Sequence, residues 1–158
     1  EWFKEHRFWE IDWIQENVFS GASAEGTLFP LIEEFRQHKI IVIGPRLLRR
    51  LSERVFPYVD FIEIHPKSGW NDSSVFRRIL ECKEKFGNDI IYSFSAGFGS
   101  NIFITKLHRV MKGNFLIDFG SVWDIFCGKA SRRYMRNYLS ESKIRKNLGI
   151  YLSEGEEK

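Results

Sequence analysis

Four short apolar runs alternate with longer stretches of helical periodicity along this chain. The runs cover residues 39–43, 58–64, 89–94 and 115–119, and each is rich in Ile, Val or Phe. Short runs of this composition, bounded by Gly, Pro or polar residues, predict buried strands of a parallel sheet. The alternation of strands with helices predicts an α/β domain with right-handed crossovers.

The stretches between the runs place apolar residues on one helical face. A helix is expected from Ala24, with Pro30 in its first turn because proline is tolerated there. Asp72 has the residue type of an N-cap for the helix after the second strand. We expect a Rossmann-like three-layer domain with a mostly parallel sheet of about four to five strands, in the order 2-1-3-4.

Two of the apolar runs break abruptly into small residues. The third continues into Ser95-Ala96-Gly97-Phe98-Gly99-Ser100, and the fourth ends at Asp118-Phe119-Gly120-Ser121. Glycines allow a ligand to approach the backbone closely, and the first N–H groups of the following helix favour a phosphate. The pattern predicts a phosphate or nucleotide site at the carboxyl edge of the sheet. The same glycines also suit any strand-to-helix turn of this fold.

Polar side chains at the same edge are candidates for chemistry. Asp118 is expected to accept from a sugar or ribose hydroxyl or to act as a base, and Asp124 is the expected nearby base. An Asp capping its own turn is an equal alternative for Asp118, and a buried anchor is the alternative for Trp123. The residues predicted to bind the ligand are Gly44, Arg46, His65, Asn71, Ser95, Gly97, Gly99, Ser100, Gly120, Ser121 and Trp123.

Composition narrows the class of protein. The chain is 43% hydrophobic and 28% charged, as is usual for a globular domain, and its net charge of +3 is too small to indicate nucleic acid. Cys82 and Cys127 lack metal-type spacing and are predicted to be reduced core residues. With no apolar run of membrane-spanning length and no signal-peptide pattern, a cytoplasmic location is expected.

The HExxH, CxxC, GxSxG and Walker patterns are absent from the sequence.

The chain divides into three predicted parts. An aromatic N-terminal segment (1–20) precedes the α/β domain (21–128), and a basic, helical tail follows (129–158). The N-terminal aromatic residues favour packing over ligand stacking. The basic residues of the tail are suited to a diphosphate, nucleic acid or an anionic membrane surface, although a solvated helix face is the more ordinary interpretation. The oligomeric state stays open.

Several short motifs, taken in order, resemble the C-terminal part of the GT-D type glycosyltransferases, a bacterial family. The resemblance covers roughly residues 15 to 128. The motifs are Asn17-Val18-Phe19-Ser20, Val42-Ile43-Gly44, Ile64-His65-Pro66 with Asn71 downstream, Ser95-Ala96-Gly97, and Ile117-Asp118-Phe119-Gly120 ahead of Trp123.

This resemblance implies a function for the predicted edge site. It implies binding of a UDP-sugar donor, transfer of a hexose to a glycan acceptor, and a divalent ion, Mn or Mg, near the diphosphate. Gly97, Gly99 and Ser100 are then expected to cradle the diphosphate. Two departures stand out: Phe98 replaces the family's proline, and its acidic Gly-Asp-Gly-Glu motif is not found. We therefore expect either that the catalytic half precedes Glu1 in a longer protein or that this chain has lost it.

Two other classes of function fit the same patterns. A methyltransferase using S-adenosylmethionine also carries a Gly-rich turn after a strand and an acidic residue for a ribose, although its richer turn normally follows the first strand. A non-catalytic interaction module would use the aromatic N-terminus and the basic tail, and would have no affinity for nucleotides. Preference for S-adenosylhomocysteine over UDP would indicate the methyltransferase. Binding of neither compound would indicate the interaction module.

Overall fold

A four-stranded, all-parallel sheet forms the centre of the molecule. The computed structural model describes residues 18–65, 72–138 and 140–150. The strands are β1 (Lys39–Gly44), β2 (Asp60–Glu63), β3 (Ile90–Phe94) and β4 (Phe115–Asp118), in the order β2-β1-β3-β4. This confirms the predicted α/β class and strand order.

Helices fill the stretches between the strands, as the alternation predicts. The predicted helix from Ala24 is two helices, separated at Gly26, whose φ of +78° suits glycine. Pro30 lies in the first turn of the second one, and Asp72 caps the helix after β2 by accepting a hydrogen bond of 2.9 Å from the Ser74 N–H. The helices are α1 (Val18–Glu25), α2 (Phe29–Gln37), α3 (Leu51–Arg54), α4 (Ser73–Phe86), α5 (Phe98–Leu107) and α6 (Glu141–Asn147), with 3-10 helices at Arg46–Arg50, Val122–Cys127 and Arg133–Tyr138.

Both faces of the sheet are covered, so the domain has three layers. Alternate residues of β1 enter different cores: Ile40 and Val42 on one face, Ile41 and Ile43 on the other. The first face packs against α2, α3 and the 3-10 helix at Val122–Cys127, and the second packs against α4 and α5. Burial on both faces explains why the strands are continuous apolar runs in the sequence.

The basic tail packs against the helices at the beginning of the described chain. Asn147 of α6 is fully buried, and its amide donates to the Ser23 carbonyl at 2.9 Å while its oxygen accepts from the Leu28 N–H at 3.1 Å. Residues 140–150 are therefore joined to the α/β unit. Residues 1–17 of the predicted aromatic segment (1–20) lie outside the described residues. Among the helices of the described ranges, none combines the length and the apolar character that crossing a bilayer requires.

Candidate functional site

The loops after all four strands line one cavity at the carboxyl edge of the sheet. Its volume is about 350 Å³, within the range of ~300–1,000 Å³ typical of small-molecule sites. Pro45 follows β1, Ile64 follows β2, Ser95 to Gly97 follow β3, and Gly120 and Ser121 follow β4. The remaining lining residues come from the first 3-10 helix and from the chain after β4: Leu47, Asp124, Lys129, Ser131 and Arg132. We call this space the edge cavity.

The turn from β3 into α5 forms one wall of the edge cavity. Gly97 has φ 57° and ψ −136°, a conformation that glycine alone adopts readily, and a Cβ there would meet nothing within 4 Å. The backbone conformation therefore requires this glycine, and space around it stays open for a ligand. As the first residue before α5, Gly97 stands at the helix end whose N–H groups have no partner within the helix.

Gly99 and Ser100 hold this turn together from inside the protein. Both residues are buried, and neither lines the cavity. The Ser100 hydroxyl accepts from the Ala96 N–H at 3.1 Å, and the Gly99 N–H donates to the Ala96 carbonyl at 3.1 Å. Of the three residues predicted to cradle a diphosphate, the structure places Gly97 alone in the cavity wall. The other two shape the turn.

Ser95 carries a polar group whose hydrogen-bonding capacity is unused. Its side chain is only 8% exposed and lines the edge cavity, and its hydroxyl has no hydrogen-bond partner among the described residues. A buried hydroxyl without a partner costs about 1–3 kcal/mol, and a ligand oxygen beside it would remove that cost. The oxygen itself is enclosed by the protein, so the hydroxyl reaches a ligand in the edge cavity when its side chain rotates toward that space.

Another part of the cavity lining combines one carboxyl group with two cations. Asp124 is 7% exposed, and burial raises the pKa of its carboxyl above the ordinary range, against the opposing effects of a hydrogen bond with Ser131 and the charges of Lys129 and Arg132. The Lys129 N–H donates to the Asp124 carbonyl at 3.0 Å, which fixes the lysine backbone beside that residue. The positive charges of Lys129 and Arg132, together with the helix end at Gly97, suit an anionic ligand.

Besides Gly99 and Ser100, four further predicted binding residues lie away from the edge cavity or have another role. Gly44 is buried, and a Cβ there would come within 2.8 Å of Leu48 Cδ1, so packing accounts for this glycine. Arg46 and His65 are exposed and do not line the cavity. Trp123 is 0% exposed, so it cannot stack on a sugar or base. Asn71 lies outside the described residues.

Asp118 lines a second, adjoining cavity of about 450 Å³. One of its oxygens accepts from the Gly120 N–H at 2.9 Å, which is the turn-capping role expected as the alternative. Gly120, Ser121 and Arg132 line both cavities, so the two spaces adjoin at these residues. The two predicted catalytic carboxylates therefore belong to neighbouring spaces and do not share one site. We call the second space the side cavity.

Lys129 and Arg132 were predicted only as members of a long basic segment. The Val122–Cys127 helix ends at Gly128 with φ 82°, and this left-handed turn directs the following residues back over the sheet edge. Glycine after an apolar stretch is a sequence signal for such a turn. The spacing of the basic residues gave no signal that distinguishes these two from Arg133 and Arg136.

Comparisons with known proteins do not identify the chain. Searches of protein families, curated proteins and solved structures found no match to it.

Substituting alanine for Gly97 is expected to destabilise the protein by about 1–3 kcal/mol, because a Cβ makes its φ and ψ unfavourable. Urea unfolding followed by circular dichroism measures this change. Gly21→Ala is the matched control, because Gly21 lies inside α1, has open space around it and is expected to gain stability from alanine. Equal stability of the two variants would contradict the strained turn.

Asp124→Asn is expected to stabilise the protein at neutral pH, because asparagine cannot carry the charge that burial disfavours. A carboxyl whose pKa is raised by folding contributes most stability below its unfolded pKa and loses that contribution as the pH rises through its folded pKa. The advantage of the variant should therefore shrink as the pH falls. Urea midpoints of both proteins between pH 4 and 8 test this, and an advantage that grows on acidification contradicts it.

Proposed function

We propose that the edge cavity binds the diphosphate of a nucleotide sugar, as the donor site of a GT-D-like glycosyltransferase that transfers a hexose from a UDP-sugar to a glycan. The observation that carries this proposal is the convergence of three anion-binding features on one cavity: the helix end at Gly97, the unpartnered Ser95 hydroxyl, and the cations Lys129 and Arg132. The sequence resemblance supports the same ligand.

Each feature has a role in binding a diphosphate. The Ser95 hydroxyl donates to a phosphate oxygen once its side chain rotates toward the cavity. The Gly97 and Phe98 N–H groups offer further donors together with the positive end of the helix dipole, whereas the Gly99 and Ser100 N–H groups already donate to the Ala96 and Gly97 carbonyls. The Arg132 guanidinium is able to form two parallel hydrogen bonds to one phosphate, whereas Lys129 acts as a point charge.

The same groups suit the transfer step. The acceptor hydroxyl oxygen forms a bond to the anomeric carbon while the bond from that carbon to the diphosphate oxygen breaks, and the bonding electrons leave with UDP. Lys129 and Arg132 stabilise the negative charge that develops on the leaving diphosphate. Asp124 accepts the proton of the hydroxyl, and a pKa raised by burial makes its carboxylate a better base than an exposed one.

A divalent ion is implied by the resemblance, but the described lining of the edge cavity does not form a site for one in the absence of the donor's phosphates. Mg²⁺ and Mn²⁺ prefer several oxygen ligands, including carboxylates. Here Asp124 is the one carboxylate among the described lining residues, and it stands with two cations. The described chain likewise contains no group of three potential metal-ligating side chains. We therefore assign the neutralisation of the diphosphate to Lys129 and Arg132.

Calorimetric titration of the protein with UDP, UDP-glucose and S-adenosylhomocysteine tests the proposed function. Each titration is run once with EDTA and once with Mn²⁺. We expect UDP and UDP-glucose to bind under both conditions and S-adenosylhomocysteine not to bind. No heat with either UDP compound at millimolar concentration contradicts a donor site, and preference for S-adenosylhomocysteine supports the methyltransferase alternative.

Two further proposals concern where the protein acts. A cytoplasmic location fits the two cysteines, Cys82 and Cys127, which are free and buried. The exposed Arg133 and Arg136 line neither cavity and remain available for an anionic membrane surface.

A further inference from the structure

The side cavity adjoins the edge cavity across the loop after β4. Its volume is about 450 Å³, and polar atoms predominate in its lining. Gly120 and Ser121 form the shared wall, and Arg132 reaches both spaces. Because these three residues line both spaces, the two cavities are close enough for one ligand with an anionic part and a second part to occupy both.

The side chains of the side cavity suit hydroxyl groups. The Asp118 carboxylate uses one oxygen to accept from the Gly120 N–H and retains acceptor capacity on both oxygens. The Asn101 side chain on α5 makes no hydrogen bond to the described residues and offers both a donor and an acceptor. Tyr134 is 48% exposed and contributes an aromatic ring to the lining.

The charge of the side cavity favours a neutral ligand. Asp118 and Arg132 are the charged residues among its described lining, and their charges are opposite. The edge cavity, by contrast, contains two cations and one carboxyl group whose pKa is raised by burial. An anionic group therefore belongs in the edge cavity, and an uncharged, hydroxyl-rich group belongs in the side cavity.

We infer that the side cavity is the subsite for the hexose of the donor, which Asn101 and Asp118 hold by hydrogen bonds to its hydroxyls while Arg132 contacts the phosphate at the junction. This inference rests on the proposed function, because it assumes that the diphosphate occupies the edge cavity. It assigns Asp118 to sugar binding and leaves Asp124 as the base. It also adds Asn101 and Tyr134, which the sequence analysis did not select.

Calorimetric comparison of UDP with UDP-glucose tests the inference on the wild type and on Asn101→Ala. The wild type should bind UDP-glucose more tightly than UDP. Asn101→Ala should reduce the affinity for UDP-glucose by about five- to tenfold, as expected for the loss of one or two hydrogen bonds, and leave the affinity for UDP unchanged. Asp118→Asn should act in the same direction. Thr105→Ala is the matched control, because Thr105 is exposed on the same helix and lines neither cavity.

The outcomes separate this inference from the proposed function. Equal losses for UDP and UDP-glucose in Asn101→Ala would place the nucleoside in the side cavity and overturn the inference. Unchanged affinity for both ligands would place the hexose elsewhere and also overturn it. Failure of the wild type to bind UDP at all would instead overturn the proposed function, and the inference with it.

Discussion

Trp123→Ala is expected to destabilise the protein by about 3–5 kcal/mol, the largest effect of any substitution considered for this fold. The indole is 0% exposed, and its ring centroid lies 4.9 Å from Phe119 and 5.1 Å from Phe56. Its Nε1–H donates to the Ser93 hydroxyl at 3.1 Å, so alanine also leaves a buried hydroxyl without its donor. Urea unfolding followed by circular dichroism measures the loss.

Phe98→Ala is the control for the loss of an aromatic ring. Phe98 is 89% exposed, so its removal should change the free energy of unfolding by less than about 0.5 kcal/mol. A loss below about 1 kcal/mol for Trp123→Ala would contradict its assignment to the core. It would also reopen the prediction that this ring serves as a platform for a ligand.

The double substitution Lys129→Ala/Arg132→Ala is expected to weaken the binding of UDP by about a hundredfold or more, because each cation contributes about 1.5–3 kcal/mol when it hydrogen bonds to a charged group. Both residues line the edge cavity near Asp124. Calorimetry at one ionic strength measures the affinity. Circular dichroism checks that the variant remains folded, as expected for two exposed side chains.

Arg133→Ala/Arg136→Ala is the matched control for charge. It removes the same two positive charges from the same basic segment, but neither residue lines a cavity. We expect it to leave the affinity for UDP within about twofold of the wild type, since exposed charges away from the ligand are largely screened. Equal losses of UDP affinity in the two double variants would mean that UDP binding depends on the overall charge of the basic segment and not on the edge cavity.

The sequence predicted the strands and the loops at their carboxyl ends, because these features depend on local patterns. The apolar runs of β1 and β3 are buried on both faces, and the abrupt change to small residues at Ser95 and Gly120 marks where these loops approach the cavity. Parallel strands end at a common edge, so the alternation of strands and helices was sufficient to bring the loops together.

The sequence did not separate the edge residues that line the edge cavity from those that do not, because that depends on packing partners distant in the chain. At Gly44, the neighbouring Leu48 and Ser95 leave no room for a Cβ. Trp123 is enclosed by aromatic rings from α2 and from the segment before β2. Likewise, the 3-10 helix that carries Asp124 away from Asp118 follows no amphipathic period of its own. Its position follows from the apolar residues that it buries against β1 and α3.

The central claim is that the edge cavity binds a diphosphate, and amide chemical shifts measured by NMR during a titration with UDP test it most directly. We expect the largest shifts at Ser95, Ala96 and Gly97 after β3 and at Gly120 and Ser121 after β4, with little change along α4, which lines neither cavity. Shifts confined to residues outside the edge cavity, or no shifts at millimolar UDP, would contradict the claim.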